Sequence, residues 1–453
     1  MIFLLVSLVL VLVVFDLGEA HIPLFLSAMF TAALAILVLK IPWKEIEDGM
    51  IDSIKMSMQA IIIMLIIGMV VGTWILSGIV PAMIFYGLKI LSPGIFLVAT
   101  VLICSIVSLA TGSSWTTAAT VGITLVGVGA GLGIPVEICA GAIISGAYFG
   151  DKLSPLSDTT NLAPAMAGTD LFQHIRHMIY TTVPSYIISL VLFAIIGMKY
   201  AGQELDTVAI NVILDGLKMS FNLSPMLLVA PVLIIIIVIK KIPAVPGLFG
   251  AALLGGIFAM VFQGASLGTV IDAANNGFTS NIGVADIDAL LSRGGMQGML
   301  WTVSLILCAM MFGGAMEKSG MLNAIAKGIL SLAKGTGGLI TATVFTCIGM
   351  NIIAADQYLA IVIPGRMYAD AYKKRKLHPK NLSRTLEDAG TLTSPLIPWN
   401  TCGAYMITTL GVAPWVYVPY CFLNIINPII AIIYGYTGFS IEYFDEEEEL
   451  EIA

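Results

Sequence analysis

Uncharged apolar runs recur along the whole chain, near residues 2–15, 22–40, 58–77, 178–197, 223–239, 244–262, 297–316 and 415–436. A helix needs about 20 residues to traverse the hydrocarbon of a bilayer, so most of this protein is solvated by lipid. Composition agrees: 11% of the residues are charged and 58% apolar, where a soluble domain carries about a quarter charged residues. A chain of 453 residues with this pattern has no room for a large soluble domain. The expected fold class is an all-α polytopic membrane protein, because a backbone in lipid must satisfy its own polar groups.

Two further runs, 136–168 and 385–410, are interrupted by prolines and polar residues and read as broken spans. Two more, 92–133 and 337–366, are apolar with a polar, Gly-rich middle. Each is too long for one span and too broken for two, so each reads as a re-entrant hairpin. Charge tests this count of ten spans and two hairpins. With the amino terminus inside, sixteen of the 21 Lys and Arg are cytoplasmic; Lys89, Lys199, Lys218 and Arg293 lie outside, and Lys152 lies within a span. The positive-inside rule favours that orientation, with both termini cytoplasmic.

The formal charge of -7 comes from the terminus, where Glu442, Asp445, Glu446, Glu447, Glu448, Glu449 and Glu451 form an acidic tail over 438–453. Such a tail says nothing about nucleic acid. Six cysteines lie in apolar stretches without metal-like spacing and read as small core residues. His21, His174, His177 and His378 form no cluster and read as surface or interface residues. Met1 to Phe15 lacks a basic leader region and reads as a retained first helix.

The halves resemble each other. Ser154-Pro155-Leu156 matches Ser394-Pro395-Leu396 at an offset of 240, which also lays Thr111–Thr117 on Asn351–Gln357. Five spans separate equivalent helices, and an odd number reverses their direction. The expected architecture is an inverted-topology repeat, about five spans plus one hairpin in each half, the usual build of a secondary transporter. The first repeat covers 1–200 and the second 223–437, joined by an external linker at 201–222. Amphipathic links at Trp43 to Ser57 and Ile271 to Leu291 read as interfacial helices or as connectors between a fixed and a moving part.

Polar groups at membrane depth are expensive and mark function. A helix break also frees carbonyls and exposes the partial charge of a half-helix end. The first broken span offers Asp151, Ser154, Ser157, Asp158, Thr159 and Asn161, and the second Thr393, Ser394, Asn400 and Thr401. The hairpins add Ser113, Ser114 and Thr116 on one side, and Asn351 and Asp356 on the other. Such hard oxygens suit a small cation. Asp158 and Asp356 are the expected titrating sodium ligands, since one carboxylate cannot hold Na⁺ and H⁺ together. Lys152 is the expected charge partner of Asp151, in a pair that either serves the site or only satisfies the fold. Glu387 and Asp388, beside Arg384, form either an exposed salt bridge or part of the transport path.

At Thr111-Gly112-Ser113-Ser114-Trp115-Thr116-Thr117 and Gly150-Asp151-Lys152-Leu153-Ser154-Pro155-Leu156-Ser157-Asp158-Thr159-Thr160-Asn161 the chain resembles the NhaC-type Na⁺/H⁺ antiporter family. The likeness runs over nearly the whole chain, including Ser394-Pro395-Leu396-Ile397-Pro398-Trp399-Asn400. It implies an antiporter of the cytoplasmic (inner) membrane, a homodimer moving in an elevator-like way, with no cofactor beyond the transported Na⁺ and H⁺. That family includes members resembling malate/lactate exchangers, so exchange of a small organic anion is the alternative, with Lys152, Asn161, Asn351 and hairpin hydroxyls as anion donors. A hydrolase reading fails for want of a nucleophile beside the paired acids.

Overall fold

The computed structural model describes residues 2–15, 20–201, 207–240, 242–283, 288 and 291–444. Most of the acidic tail, 445–453, lies outside them, as do 202–206 of the linker and part of the second amphipathic link. The described residues are helical apart from loops and one isolated bridge, Leu377 with Tyr443. Six helices are long and apolar enough to cross a bilayer, or up to eight if two bent pairs each count as one span. That is fewer than the ten expected, and two of the six, Pro93–Thr111 and Gly335–Ile353, are the first arms of the stretches read as re-entrant hairpins, each long enough to cross a bilayer by itself. Apolar pieces such as His21–Leu37, Ile79–Ile90 and Met321–Ser331 are shorter than a bilayer, and the broken spans arrive as still shorter fragments.

Two expectations change at the first amphipathic link and the linker. Trp43–Ser57 is no separate interfacial helix but the first turns of one 34-residue helix, Trp43–Leu76. Its polar start and apolar end carry no proline or cap between them, so nothing stops the helix from running on. Thr207–Ser220, read as linker, is also helical, and Asn211–Ser220 joins Pro225–Ile234 at a 95° bend.

The long helix Trp43–Leu76 packs on Leu300–Lys318 and Ala244–Gln263, with His21–Leu37 against Leu300–Lys318. Around a second centre, Pro93–Thr111 packs on Val136–Leu153, and Gly335–Ile353 packs on Phe422–Thr437 and Gln357–Lys374. The first of these contacts is close because Gly146 and Gly150 carry no side chain. A Cβ on Gly150 would run into the Ser105 carbonyl and the Leu109 amide. Small residues allowing backbones to approach are how helices associate without a hydrophobic driving force.

All four polar regions are helix breaks, and each is closed by a side chain. Gly112 (φ 67°) ends one helix and Ser113 caps the next, its Oγ accepting from the Thr116 amide. In the second hairpin Ala355 takes φ 56° and Asp356 caps Gln357–Lys374, accepting from the Tyr358 and Leu359 amides. Ser157 caps Asp158–Ala167 after the Ser154-Pro155 break, and Asn400 caps Thr401–Leu410 after the Ser394-Pro395 break. Ser113 and Asp356, like Ser157 and Asn400, are 243 residues apart. The hairpin tips therefore correspond three residues away from the register that Ser-Pro-Leu suggests. One cap of this kind satisfies amides that would otherwise be orphaned.

The crossing at Gly150 gives a stability prediction. Gly150→Ala should force the two helices apart and cost about 1–3 kcal/mol, the usual penalty of overpacking. The check is the midpoint of thermal unfolding in detergent, which should fall; an unchanged midpoint would mean the crossing is loose.

Candidate functional site

The four breaks converge on one cavity of about 500 Å³. Its walls include Thr111, Ser113, Ser114, Trp115 and Thr116 from the first hairpin and Asp151, Ser157, Asp158 and Thr159 from the first broken span. Asp356, Gln357 and Tyr358 from the second hairpin and Thr401 and Cys402 from the second broken span complete that side. Opposite them stand Met56, Ser57, Gln59, Ala60 and Ile63 of the long helix Trp43–Leu76, with Ile242, Gly247 and Leu248 nearby. The cavity thus lies between the two packing centres.

Its three acids are held differently. Asp151 is buried, and its Oδ2 accepts from the Ser114 hydroxyl (2.6 Å) and amide (3.1 Å). Asp356 is buried and spends Oδ1 on capping, from Tyr358 (2.9 Å) and Leu359 (3.1 Å), while Oδ2 meets the Thr401 hydroxyl at 3.4 Å. Asp158 is the exposed one, open to the cavity, with the Tyr358 hydroxyl donating to Oδ2 at 3.4 Å. A phenol therefore bridges the two halves, since Tyr358 follows the cap Asp356 and reaches Asp158.

Nine expected site residues line this cavity: Asp151, Ser157, Asp158, Thr159, Ser113, Ser114, Thr116, Asp356 and Thr401. The others do not. The Ser154 hydroxyl donates to the Leu109 carbonyl (2.8 Å), pinning the first break to the first hairpin. Asn161 turns back on the Pro155 and Ser157 carbonyls. Asn351 donates to the Gly390 carbonyl (2.7 Å) and Thr393 (3.0 Å), and Asn400 donates to its Oδ1 (3.0 Å). The Ser394 hydroxyl donates to Gln357 Oε1 at 3.0 Å. These five, with Thr393, hold the breaks open instead of facing the cavity. Sequence reading missed Ser57 at the end of the amphipathic link, Gln59 at the start of the apolar run after it, and Tyr358, whose polar tip looks like an ordinary aromatic.

Lys152 is not the partner of Asp151. It is fully buried and ion-paired with Asp388, from the other broken span. Asp388 Oδ1 also accepts from Asn427 (2.6 Å) and Thr181 (2.9 Å), with Arg384 Nε 4.0 Å from Oδ2. The helix turns Asp151 toward the first hairpin and its neighbour about 100° away, and adjacent side chains on a helix do not face each other. Glu387, Asp388 and Arg384 are buried, not an exposed bridge. His174 and His177 are buried too, bonded to Ser383 (2.8 Å) and Asn381 (3.3 Å) across the base of the second broken span. Among the described residues no three His, Cys, Asp or Glu gather as a metal site.

Fold and site together define a multi-pass helical membrane protein whose broken helices meet at a polar, acid-lined cavity. The sequence profile of the Na⁺/H⁺ antiporter family matches residues 146–439, and the chain belongs to that family. It is 42% identical over 424 residues, 93% of this chain and 91% of the relative, to the Na⁺/H⁺ antiporter NhaC of Alkalihalophilus pseudofirmus. It is 39% identical to the malate-2H⁺/Na⁺-lactate antiporter of Bacillus subtilis (93% and 90% covered). It is 37% identical to the arginine/ornithine antiporter ArcD of Halobacterium salinarum (96% and 90% covered).

The buried ion pair carries its own prediction. Lys152→Ala strands Asp388 without its cation and should cost about 3–5 kcal/mol, whereas replacing both partners with apolar residues should cost far less. Thermal unfolding of the two single variants and the double variant in detergent measures this.

Proposed function

We propose that this protein exchanges Na⁺ for H⁺ across the cytoplasmic membrane by alternating access. The observation that carries this reading is the shared cavity, where Asp158 and Asp356 arrive from opposite halves with hydroxyls around them. Hydroxyls and carboxylates are hard donors that can replace the water shell of Na⁺. A carboxylate that holds Na⁺ when ionised and H⁺ when protonated cannot hold both, so each crossing carries one or the other. That mutual exclusion is the source of coupling.

The two halves act as inverted repeats, and the breaks, hairpins and Phe422–Thr437 move together against the long helix Trp43–Leu76 and its partners. The cavity's position between these bodies supports an elevator-like motion, with the second copy of a homodimer helping to hold the fixed part in the bilayer. Both termini are cytoplasmic in this reading, and the protein needs no cofactor.

A second reading has one observation in its favour. Three helices of ten residues or more, starting at Asp158, Gln357 and Thr401, begin at the cavity wall, and helix N-termini favour negative groups. A small organic anion could be exchanged with Na⁺ and H⁺, its carboxylate resting on those ends. Lys152 and Asn351 would not hold it, because both are committed elsewhere.

The test is purified protein in liposomes with an entrapped pH dye. Adding NaCl without any organic acid should dequench the dye; no response until an organic acid is supplied would favour the second reading. Asp158→Asn and Asp356→Asn should each lower the NaCl response at least tenfold, and wild-type flux in either variant would remove that residue from the site. Because protons and sodium compete for the same carboxylates, the KM for Na⁺ should rise as pH falls while the maximal rate at saturating Na⁺ holds. A KM independent of pH would contradict shared ligands.

A further inference from the structure

Glu387 is the acid that the cavity does not explain. Its side chain is fully buried and neither carboxylate oxygen has a donor within 3.5 Å, although the Thr391 and Thr159 hydroxyls are turned toward it. One turn on, the Thr391 hydroxyl is also buried without a partner. The two lie at the ends of a π-helical segment, Glu387–Thr391, a rare wide turn often found at functional positions. The remaining groups around the carboxylate are Lys152 and Asp151 from Val136–Leu153 and Thr159 from the first broken span. Of these, Thr159 also lines the cavity, so one hydroxyl separates Glu387 from the space where ions enter.

Lys152 offsets this carboxylate only in part, because its ammonium is paired with Asp388, which Thr181 and Asn427 also hold. Arg384 is likewise committed, to Ser440 (2.8 Å to Oγ) and toward Asp388. His174 bonds Ser383. Buried oxygens without donors are costly. A proton on Glu387 would satisfy two oxygen atoms at most, while a cation accepting lone pairs from both carboxylate oxygens and the hydroxyls would satisfy them all.

We propose that Glu387, Thr391 and Thr159 form a second sodium site behind the cavity wall, distinct from Asp158 and Asp356. The inference rests on the Na⁺/H⁺ reading above. Sodium passes from the cavity beside Thr159 and meets a full carboxylate, while the nearby Lys152 charge keeps the hold weak enough for release. Two sites in series would then load before the moving part crosses.

Equilibrium binding of radioactive sodium to the full-length protein in detergent tests this at one fixed pH. Wild type should bind twice the sodium of Glu387→Gln at saturation, and Asp356→Asn should lose the other half. Thr391→Val, close to isosteric, should keep the capacity and weaken one class of site about tenfold. Wild-type capacity and affinity in Glu387→Gln would overturn the proposal, as would a variant that keeps its sodium and shifts only the pH profile of exchange. Should Glu387→Gln not fold, unchanged binding in Thr391→Val overturns it equally. A wild type that binds no sodium would instead sink the Na⁺/H⁺ reading.

Discussion

A backbone inside a bilayer cannot leave its amides to water, and every feature of this site follows from that constraint. Four helices are interrupted, so four sets of N–H groups need acceptors at depth. Ser113, Ser157, Asp356 and Asn400 supply them from their own side chains. Because the caps sit at the ends of helices that meet, solving the backbone problem four times over creates the cavity. Asp356 shows the economy of this most clearly: one carboxylate oxygen closes a helix and the other faces Thr401 at the cavity wall.

The breaks are also tied to one another, within the second half and across the two halves. Lys152 of the first broken span pairs with Asp388 of the second, Asn351 links its hairpin to Gly390 and Thr393, and the Thr401 amide donates to the Ala355 carbonyl at 2.9 Å. Each helix that returns from a hairpin packs on the half-helix of the other half, Gln357–Lys374 on Asp158–Ala167 and Ile123–Gly131 on Thr401–Leu410. Such ties fasten the breaks to one another. In the elevator-like motion proposed above, breaks fastened in this way would shift relative to Trp43–Leu76 as one unit.

What the sequence disclosed were the places where local chemistry is forced. Ser154-Pro155 and Ser394-Pro395 cannot continue a helix, and both are breaks. Polar residues in apolar runs had to face something other than lipid, and nine of those expected at the site do reach one cavity. Partner choice was not legible. Asp151 and Lys152 are neighbours in sequence, yet the helix points them at Ser114 and Asp388, 37 and 236 residues away. Burial was equally hidden: Glu387, Asp388 and Arg384 read in sequence as an exposed salt bridge as readily as part of the transport path, yet all three are buried. The continuity of Trp43–Leu76 escaped for the converse reason, since amphipathic and apolar stretches look different while their backbone does not change.

The same cavity joins two kinds of electrostatics that ordinarily exclude each other. Its acids attract cations, while the helix ends that begin at Asp158, Gln357 and Thr401 present amides that favour anions. Neither field dominates by position alone, because Asp356 caps one of those helices and Asp158 begins another. A bound Na⁺ would neutralise an acid and leave the amide ends free, which lowers the cost of placing a carboxylate nearby. Antiporters whose names carry sodium, malate and lactate, or arginine and ornithine, all align over most of this chain. If a cation prepares an anion's site in this scaffold, different residues on the facing wall, such as Ser57 and Gln59, would be enough to change its cargo. Selectivity within such a fold would then sit on the wall opposite the acids and leave the acids themselves to the coupling ion.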